Sequence, residues 1–493
     1  MKIAIFSTHV LLATHYETEL EIITNHQNAG DEIVQVICNA DLPACDTNPY
    51  FQPEACNRCI SKRKLGAGLL EKPVRTVPFM KFIGQEDRKF VSGHMKSFGS
   101  IAELKKYQVD NLDVGYAIAS SIISYYRDPH PALMEQEIRR YMAGTLAMYR
   151  ATINFIRTEK PDVVYIFNGR LAHTKAIMRA CQREGTTFRI HERGHSFKYY
   201  GVFENFTFHQ ISYIQKEIVK LWSSAGEAER VEKAEQFFTK RMQGQATNWH
   251  AFNKDAVDEL PAGWDGEKMN IAIFNSSEDE VASISDEWKN PIYQNQLDAI
   301  KRIVSDSAHR PDIHFYLRIH PNLRNVQNNE LDELLNLSAS NLTIIPPESK
   351  LNTYFLVKKV SKVITFGSTV GIESAYLGVP SILAGKCFYR NMGSTYDPES
   401  HEEMMELILR KLEPKDKLAA LQFGYFFSSF GIPYQYYEAK DFGTGTFRSH
   451  SLGFKPDLQY KLISWLFGNI KAGNLSERLR LRLREKVLNR LLN

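Results

Sequence analysis

Two nearly identical apolar runs, Lys2–Phe6 (KIAIF) and Met269–Phe274 (MNIAIF), constrain this chain most. Each is too short for a buried helix, ends in a polar turn, and is followed by a helical pattern and further β-branched runs. Apolar strands alternating with helices predict a parallel sheet covered on both faces. Two such openings in 493 residues predict two Rossmann-like halves, since a chain of that length exceeds one core.

After the first opening, Thr14–Asn28 reads as a helix ended by Gly30, and Glu32–Cys38 as the next strand. Ligands of such sheets bind beyond the carboxyl ends of the strands. His9, His15 and Glu17 fall there, as crevice groups or as solvated residues with an acid favoured near a helix start. Further on, a long helix spans Leu133–Thr158. Strand Pro161–Phe167, turn Asn168-Gly169-Arg170, helix Leu171–Arg183 and strand Thr186–His191 follow, leading into Glu192-Arg193-Gly194. Arg170 and Arg193 suit phosphate or acceptor contacts. Glu192 could orient one of them or act as a base; an internal Glu–Arg pair is the plainer alternative.

The second opening leads into Asn275-Ser276-Ser277, a small hydroxyl-rich turn. Strand Ile313–Ile319 ends in Arg318-Ile319-His320-Pro321. Pro321 keeps His320 extended, so Arg318 and His320 share one face, as a pyrophosphate grip or as a core-edge pair. The third piece is Ser361–Ala384, strand, turn, helix and strand. Gly367, Ser368 and Thr369 sit at the helix start, where an anion is favoured, and Glu373 lies one turn in, placed to accept bonds from sugar hydroxyls. An ordinary βαβ unit with a Ser-Thr cap is the other reading.

Six Cys in a chain that opens on a strand rather than a signal sequence predict a cytoplasmic protein with reduced thiols. Cys38, Cys45, Cys56 and Cys59 crowd one short stretch without the spacing of paired knuckles. A structural zinc on Cys45, Cys56 and Cys59 is one reading, free thiols the other. With 61 basic against 57 acidic residues, a dedicated nucleic-acid binder is excluded. The C-terminal stretch Asn474–Asn493 alternates Leu with Arg, as a packing helix or as a peripheral contact with the inner face of a membrane. Turn chemistry at Pro261–Gly266 marks a boundary. The expected domains are 1–200, a helical connection 201–266, a second sheet domain 267–420, and C-terminal helices 421–493.

Together, Arg318-x-His320-Pro321 and Gly367-Ser368-Thr369…Glu373…Gly378-Val379-Pro380 resemble elements of bacterial capsular-polysaccharide transferases of the GT-B class. These include Kdo transferases, GT-B sialyltransferases and, more distantly, CDP-glycerol glycerophosphotransferases. The resemblance covers residues 268–395 well and the first half by pattern only. It implies an α/β GT-B fold, two Rossmann-like domains facing a cleft, and a nucleotide-sugar donor linked to CMP, UDP or GDP. His320 would contact the donor phosphate or assist departure, Ser368 and Thr369 would bind phosphate, and Glu373 ribose. Asn275–Ser277 and Arg318 would complete the donor site. The acidic base motif of the sialyltransferases has no match, because Glu278-Asp279-Glu280 runs into Val281. The base is expected from Glu17, His9 or His15 instead. The expected activity is sugar transfer to a surface glycan or lipid-linked glycan. No cofactor and no catalytic metal are expected, since no Asp-x-Asp motif stands out. A nucleotide-sugar epimerase and a non-catalytic glycan-binding scaffold are the alternatives.

Overall fold

The computed structural model describes residues 1–245, 256–325, 329–441, 443–453, 458 and 475–492. The chain divides into two compact units. The first comprises 1–126, 130–208 and 431–493, and the second 127–129 and 209–430.

Unit 1 is built on strands β1 (Lys2–Ser7), β2 (Glu32–Ile37), β3 (Arg75–Pro78), β4 (Val163–Phe167), β5 (Thr187–Arg193) and β6 (Tyr199–Glu204). Unit 2 carries β7 (Met269–Phe274), β8 (Ile313–Arg318), β9 (Leu342–Ile345), β10 (Lys362–Thr365) and β11 (Ser381–Leu383). The chain then returns to the first sheet as β12 (Ile432–Pro433). The first sheet runs β12-β6-β5-β4-β1-β2-β3 and the second β11-β10-β7-β8-β9. The second sheet is wholly parallel, whereas β6 and β12 are antiparallel additions to the first. Both contain the doubly wound order in which the chain reverses direction beside its first strand. That reversal lies between β1 and β4, and again between β7 and β10, and opens a crevice at the strand ends.

The apolar runs are strands because both their faces are covered. Ile271 and Ile273 of β7 pack with Phe315, Leu317 and Ile364 on one side of the sheet. Ala272, Phe274, Tyr316 and Val363 fill the other.

Two expectations are corrected, and one element was not foreseen. In the cysteine stretch Pro53–Ala67 is a helix opened by its proline, and Cys56 and Cys59 lie one turn apart on it. The segment 201–266 is not a detached connection. Helices Ile211–Ser224 and Glu227–Met242 belong to unit 2, where Trp222 and Phe237 meet Tyr425 and Phe423 of helix Leu418–Ser429. Nor is 421–493 simply helical. From Gly431 the chain belongs to unit 1, pairing as β12 and then forming a small sheet of Tyr437–Ala439, Gly445–Phe447 and His450–Ser451. Buried Glu21 fixes this return by accepting backbone N–H bonds from Gln435 (2.6 Å), Tyr436 (3.0 Å) and Tyr437 (3.1 Å).

The final helix, Leu475–Leu492, buries Leu488 and Leu491, and Arg490 donates to Asp41 at 2.9 Å. Its last turns are therefore packed, whereas Leu479, Leu481 and Leu483 are exposed. The side chains of Arg478 and Arg480 lie outside the described residues. Among the described residues no helix is long and apolar enough to cross a membrane.

Candidate functional site

In unit 2 one pocket gathers residues from the ends of β7, β8 and β10. Asn275, Arg318, His320, Ser368, Thr369 and Glu373 line it together with Arg241, Gln245 and Tyr354. Six of the nine expected donor residues, separated by up to about a hundred positions in the sequence, are thus brought to one place by the parallel register of three strands, whereas Ser276, Ser277 and Gly367 do not line the pocket.

Asn275 is buried and its Oδ1 accepts the backbone N–H of His320 at 2.9 Å, tying the end of β7 to the end of β8. Ser276 and Ser277 are partly committed within their own turn, where Ser276 N–H donates to Gln296 at 2.7 Å and Ser277 Oγ to Asp279 at 2.7 Å. Gly367 has φ +130°, open to glycine and strained for other residues, and turns the chain from β10 into helix Val370–Tyr376. That helix is only seven residues long, so its dipole is a minor attraction for an anion. The cations matter more.

Arg318 is 5% exposed. Its two terminal nitrogens donate to the carbonyls of Pro346 (2.6 Å) and Ser349 (2.8 Å), while its Nε has no partner. Among the described residues no carboxylate pairs with it within 4.0 Å. Burial lowers its pKa to about 10, so it stays protonated at neutral pH. The Glu348 carboxylate nearby offsets only part of that burial, and a buried cation this weakly compensated favours an anion beside it. His320 accepts the N–H of Asn322 on Nδ1 at 3.1 Å, which places its ring proton on Nε2. Burial, with Arg318 and Arg127 nearby, lowers its pKa to about 4. At neutral pH it is a neutral N–H donor.

Glu373 behaves differently from a free sugar acceptor. It is buried, accepts from Tyr354 Oη at 3.0 Å, and forms a close ion pair with Arg241 Nε. Arg241 also donates to Thr369 Oγ1 at 2.9 Å. Neither Arg241 nor Tyr354 was legible as a site residue. Arg241 sits on a charge-rich helix whose periodicity says nothing of the carboxylate it meets 132 positions later.

In unit 1 the other candidate residues stand at or near the carboxyl ends of β1, β4 and β5. His9 is buried between Asp46 (Nε2 to Oδ2, 2.7 Å) and the hydroxyl of Thr8 (Nδ1 to Oγ1, 2.9 Å). His15 lies over the Phe167 ring at 3.9 Å and 6.3 Å from the His191 ring. Burial pushes the pKa of His15 well below its ordinary value and that of His191 to about 3, so both are neutral. Glu17 is tied to Lys62 at 2.7 Å. Arg170 donates to Ser120 and Ser124, each at 3.1 Å, and exposed Arg193 to the carbonyl of Ala13 at 2.8 Å. Glu192 accepts from Asn168 Nδ2 at 2.6 Å, and burial raises its pKa to about 7. Unlike His9, it is only half-buried.

Residues 292–437 match the sequence model of the family described as capsule polysaccharide biosynthesis protein. This part of the chain is similar to that family. The match spans Arg318, His320, Ser368, Thr369 and Glu373 and leaves Arg241 and Asn275 outside it. No curated protein matches the chain. Among solved structures, the Thermosulfurimonas dismutans KpsC beta Kdo 2,4 transferase is similar at 14% identity and TM-score 0.35, over 54% of this chain and 79% of that one. The beta Kdo 2,7 transferase of the same KpsC gives 13% and 0.30, over 56% and 80%. Methanocaldococcus jannaschii UDP-GlcNAc 2-epimerase, in complex with UDP-GlcNAc and UDP, gives 12% and 0.26, over 86% and 98%. Likenesses this small carry no argument about activity. The family match covers residues 292–437 alone, within the unit that holds the pocket, and the two doubly wound sheets are those expected of a fold with two Rossmann-like halves.

Proposed function

We propose that this chain transfers a sugar from a nucleotide-sugar donor, held in the pocket of unit 2, to a hydroxyl of a glycan or lipid-linked glycan. The observation that carries this reading is Arg318, a buried guanidinium with an unpartnered Nε lining a pocket beside the His320 ring. A donor diphosphate or monophosphate would accept from that Nε–H and compensate the buried charge further, with Ser368, Thr369 and the Nε2–H of His320 as further donors. These groups favour the charge that develops on the phosphate oxygen as its bond to the anomeric carbon breaks. Glu373 acts by holding Arg241 and Tyr354 rather than by meeting the sugar.

The acceptor hydroxyl must lose its proton as its oxygen bonds to the anomeric carbon. Glu192 is the base best suited to take it, since it is half-buried, held by Asn168 and poised near neutrality. Glu17 is occupied by Lys62, and both ring nitrogens of His9 are engaged. The reading uses no divalent metal; turnover abolished by EDTA and restored by magnesium would overturn that part. Exposed Leu479, Leu481 and Leu483 near Arg482 and Lys486 support a peripheral contact with an anionic membrane surface, which vesicle flotation checks.

The test is thermal denaturation with CMP, CDP, UDP or GDP. A nucleotide at about a hundred times its Kd adds about 2.7 kcal/mol, a rise of about 5–10 °C for a unit of this size. No shift with any of them overturns the donor pocket. Conversion of a nucleotide sugar without acceptor would favour the epimerase instead.

A further inference from the structure

Tyr389 lies in the loop after β11 and does not line the pocket of unit 2. Its side chain is 1% exposed, and its ring stands edge-on to Phe423 of helix Leu418–Ser429 at 5.8 Å. The hydroxyl donates to the carbonyl of Ser368, 21 positions earlier in the chain. Thr365 Oγ1, at the end of β10, lies 3.5 Å from the same hydroxyl.

Close approach makes this contact possible. A Cβ at Gly371 would meet Tyr389 Oη at 2.5 Å, and one at Gly385 would collide with the carbonyl of Phe366. The loop is also fastened from behind. Arg390 is buried and donates to the carbonyls of Leu383 (3.1 Å), Gly385 (2.9 Å) and Pro398 (2.8 Å) and to Glu399 (2.9 Å). Tyr389 therefore meets Ser368 from a well-tied support.

The turn it meets has little hold of its own. Gly367 has φ +130°, and Thr369 makes no side-chain cap for the short helix that follows. Within the turn the Ser368 carbonyl accepts the N–H of Gly371 at 3.0 Å. Arg241 holds Thr369 Oγ1 at 2.9 Å, and Tyr389 adds a second bond to the Ser368 carbonyl. That carbonyl and the Thr369 N–H share one planar peptide and point in opposite directions, so holding one aims the other.

We propose that Tyr389 is a positioning residue of the donor pocket. Its hydroxyl fixes the Ser368–Thr369 peptide, so that the Thr369 N–H and the two side-chain hydroxyls meet the donor phosphate together. This rests on the reading of the unit 2 pocket as the donor site. A hydroxyl that only satisfied its own buried O–H would change stability and leave nucleotide affinity alone.

Calorimetric titration of the full chain with CMP, CDP, UDP and GDP tests this. Tyr389→Phe keeps the ring against Phe423 and should weaken the nucleotide that the wild type binds by about tenfold. Ser368→Ala should weaken it as well. The double variant should lose less than the product of the two losses, because Tyr389 acts through the turn that Ser368 belongs to. Wild-type affinity in Tyr389→Phe overturns the inference and leaves the donor site standing, and losses that simply multiply overturn it too. A wild type that binds none of the four nucleotides overturns both readings. If Tyr389→Phe does not fold, Gly371→Ala, whose methyl displaces the same hydroxyl, is titrated with the same expectation.

Discussion

Replacing Glu373 with Gln isolates a buried ion pair at the heart of the proposed donor pocket. The side chains of Glu373 and Arg241 are 3% and 16% exposed, and Tyr354 Oη donates to the same carboxylate at 3.0 Å. The substitution preserves shape but leaves the guanidinium without its counter-charge. Breaking one half of a buried pair costs about 3–5 kcal/mol. For a unit of this size that lowers the melting temperature by about 6–20 °C. Calorimetry on the full chain reads the shift, with Arg241→Met and the double variant completing a cycle. The double variant should lose less than the sum of the singles, because it leaves no unpaired charge. If Glu373→Gln melts as the wild type does while losing donor affinity tenfold or more, the carboxylate is a direct sugar ligand. The positioning role would then be wrong.

Activity should rise with pH through about 7 as Glu192 ionises, and Glu192→Gln should remove both most of kcat and that limb, read from a pH–rate profile. Glu19 is buried against Ser7, and burial raises its pKa to about 8. The folded state therefore holds a proton that the unfolded chain has released above its ordinary carboxylate pKa. Its contribution to stability falls as pH rises between about 4.5 and 8. Glu19→Gln should flatten that decline in urea titrations at pH 5 and pH 8; an unchanged slope contradicts the assignment. His320→Ala should lower kcat/KM about 10–100-fold through loss of one hydrogen bond to a charged phosphate, measured by steady-state kinetics. Gly371 lies where a Cβ would meet Tyr389 Oη at 2.5 Å and Thr365 Oγ1 at 2.6 Å. Gly371→Ala should cost about 1–3 kcal/mol by overpacking, visible as a lower midpoint in urea.

The sequence by itself determined the parallel strands of the two sheets. Runs such as MNIAIF are apolar on both faces, and that pattern is satisfied only by strands covered from both sides. It also set which polar turns lie at the strand ends, and so collected Asn275, His320, Ser368 and Thr369 into one candidate site. Helix Pro53–Ala67 was hidden because its cysteines and charges give little apolar stripe. The return of Gly431 onward to the first unit was hidden because short edge strands pair with partners far along the chain. Only the tertiary structure decided what each charged side chain does. It gave Glu373 to Arg241, Glu17 to Lys62 and His9 to Asp46, and set Arg318 against the carbonyls of Pro346 and Ser349. Periodicity reports which face of an element is buried, but an ion pair depends on the position of a second element. That position is set by packing, which no local spacing encodes.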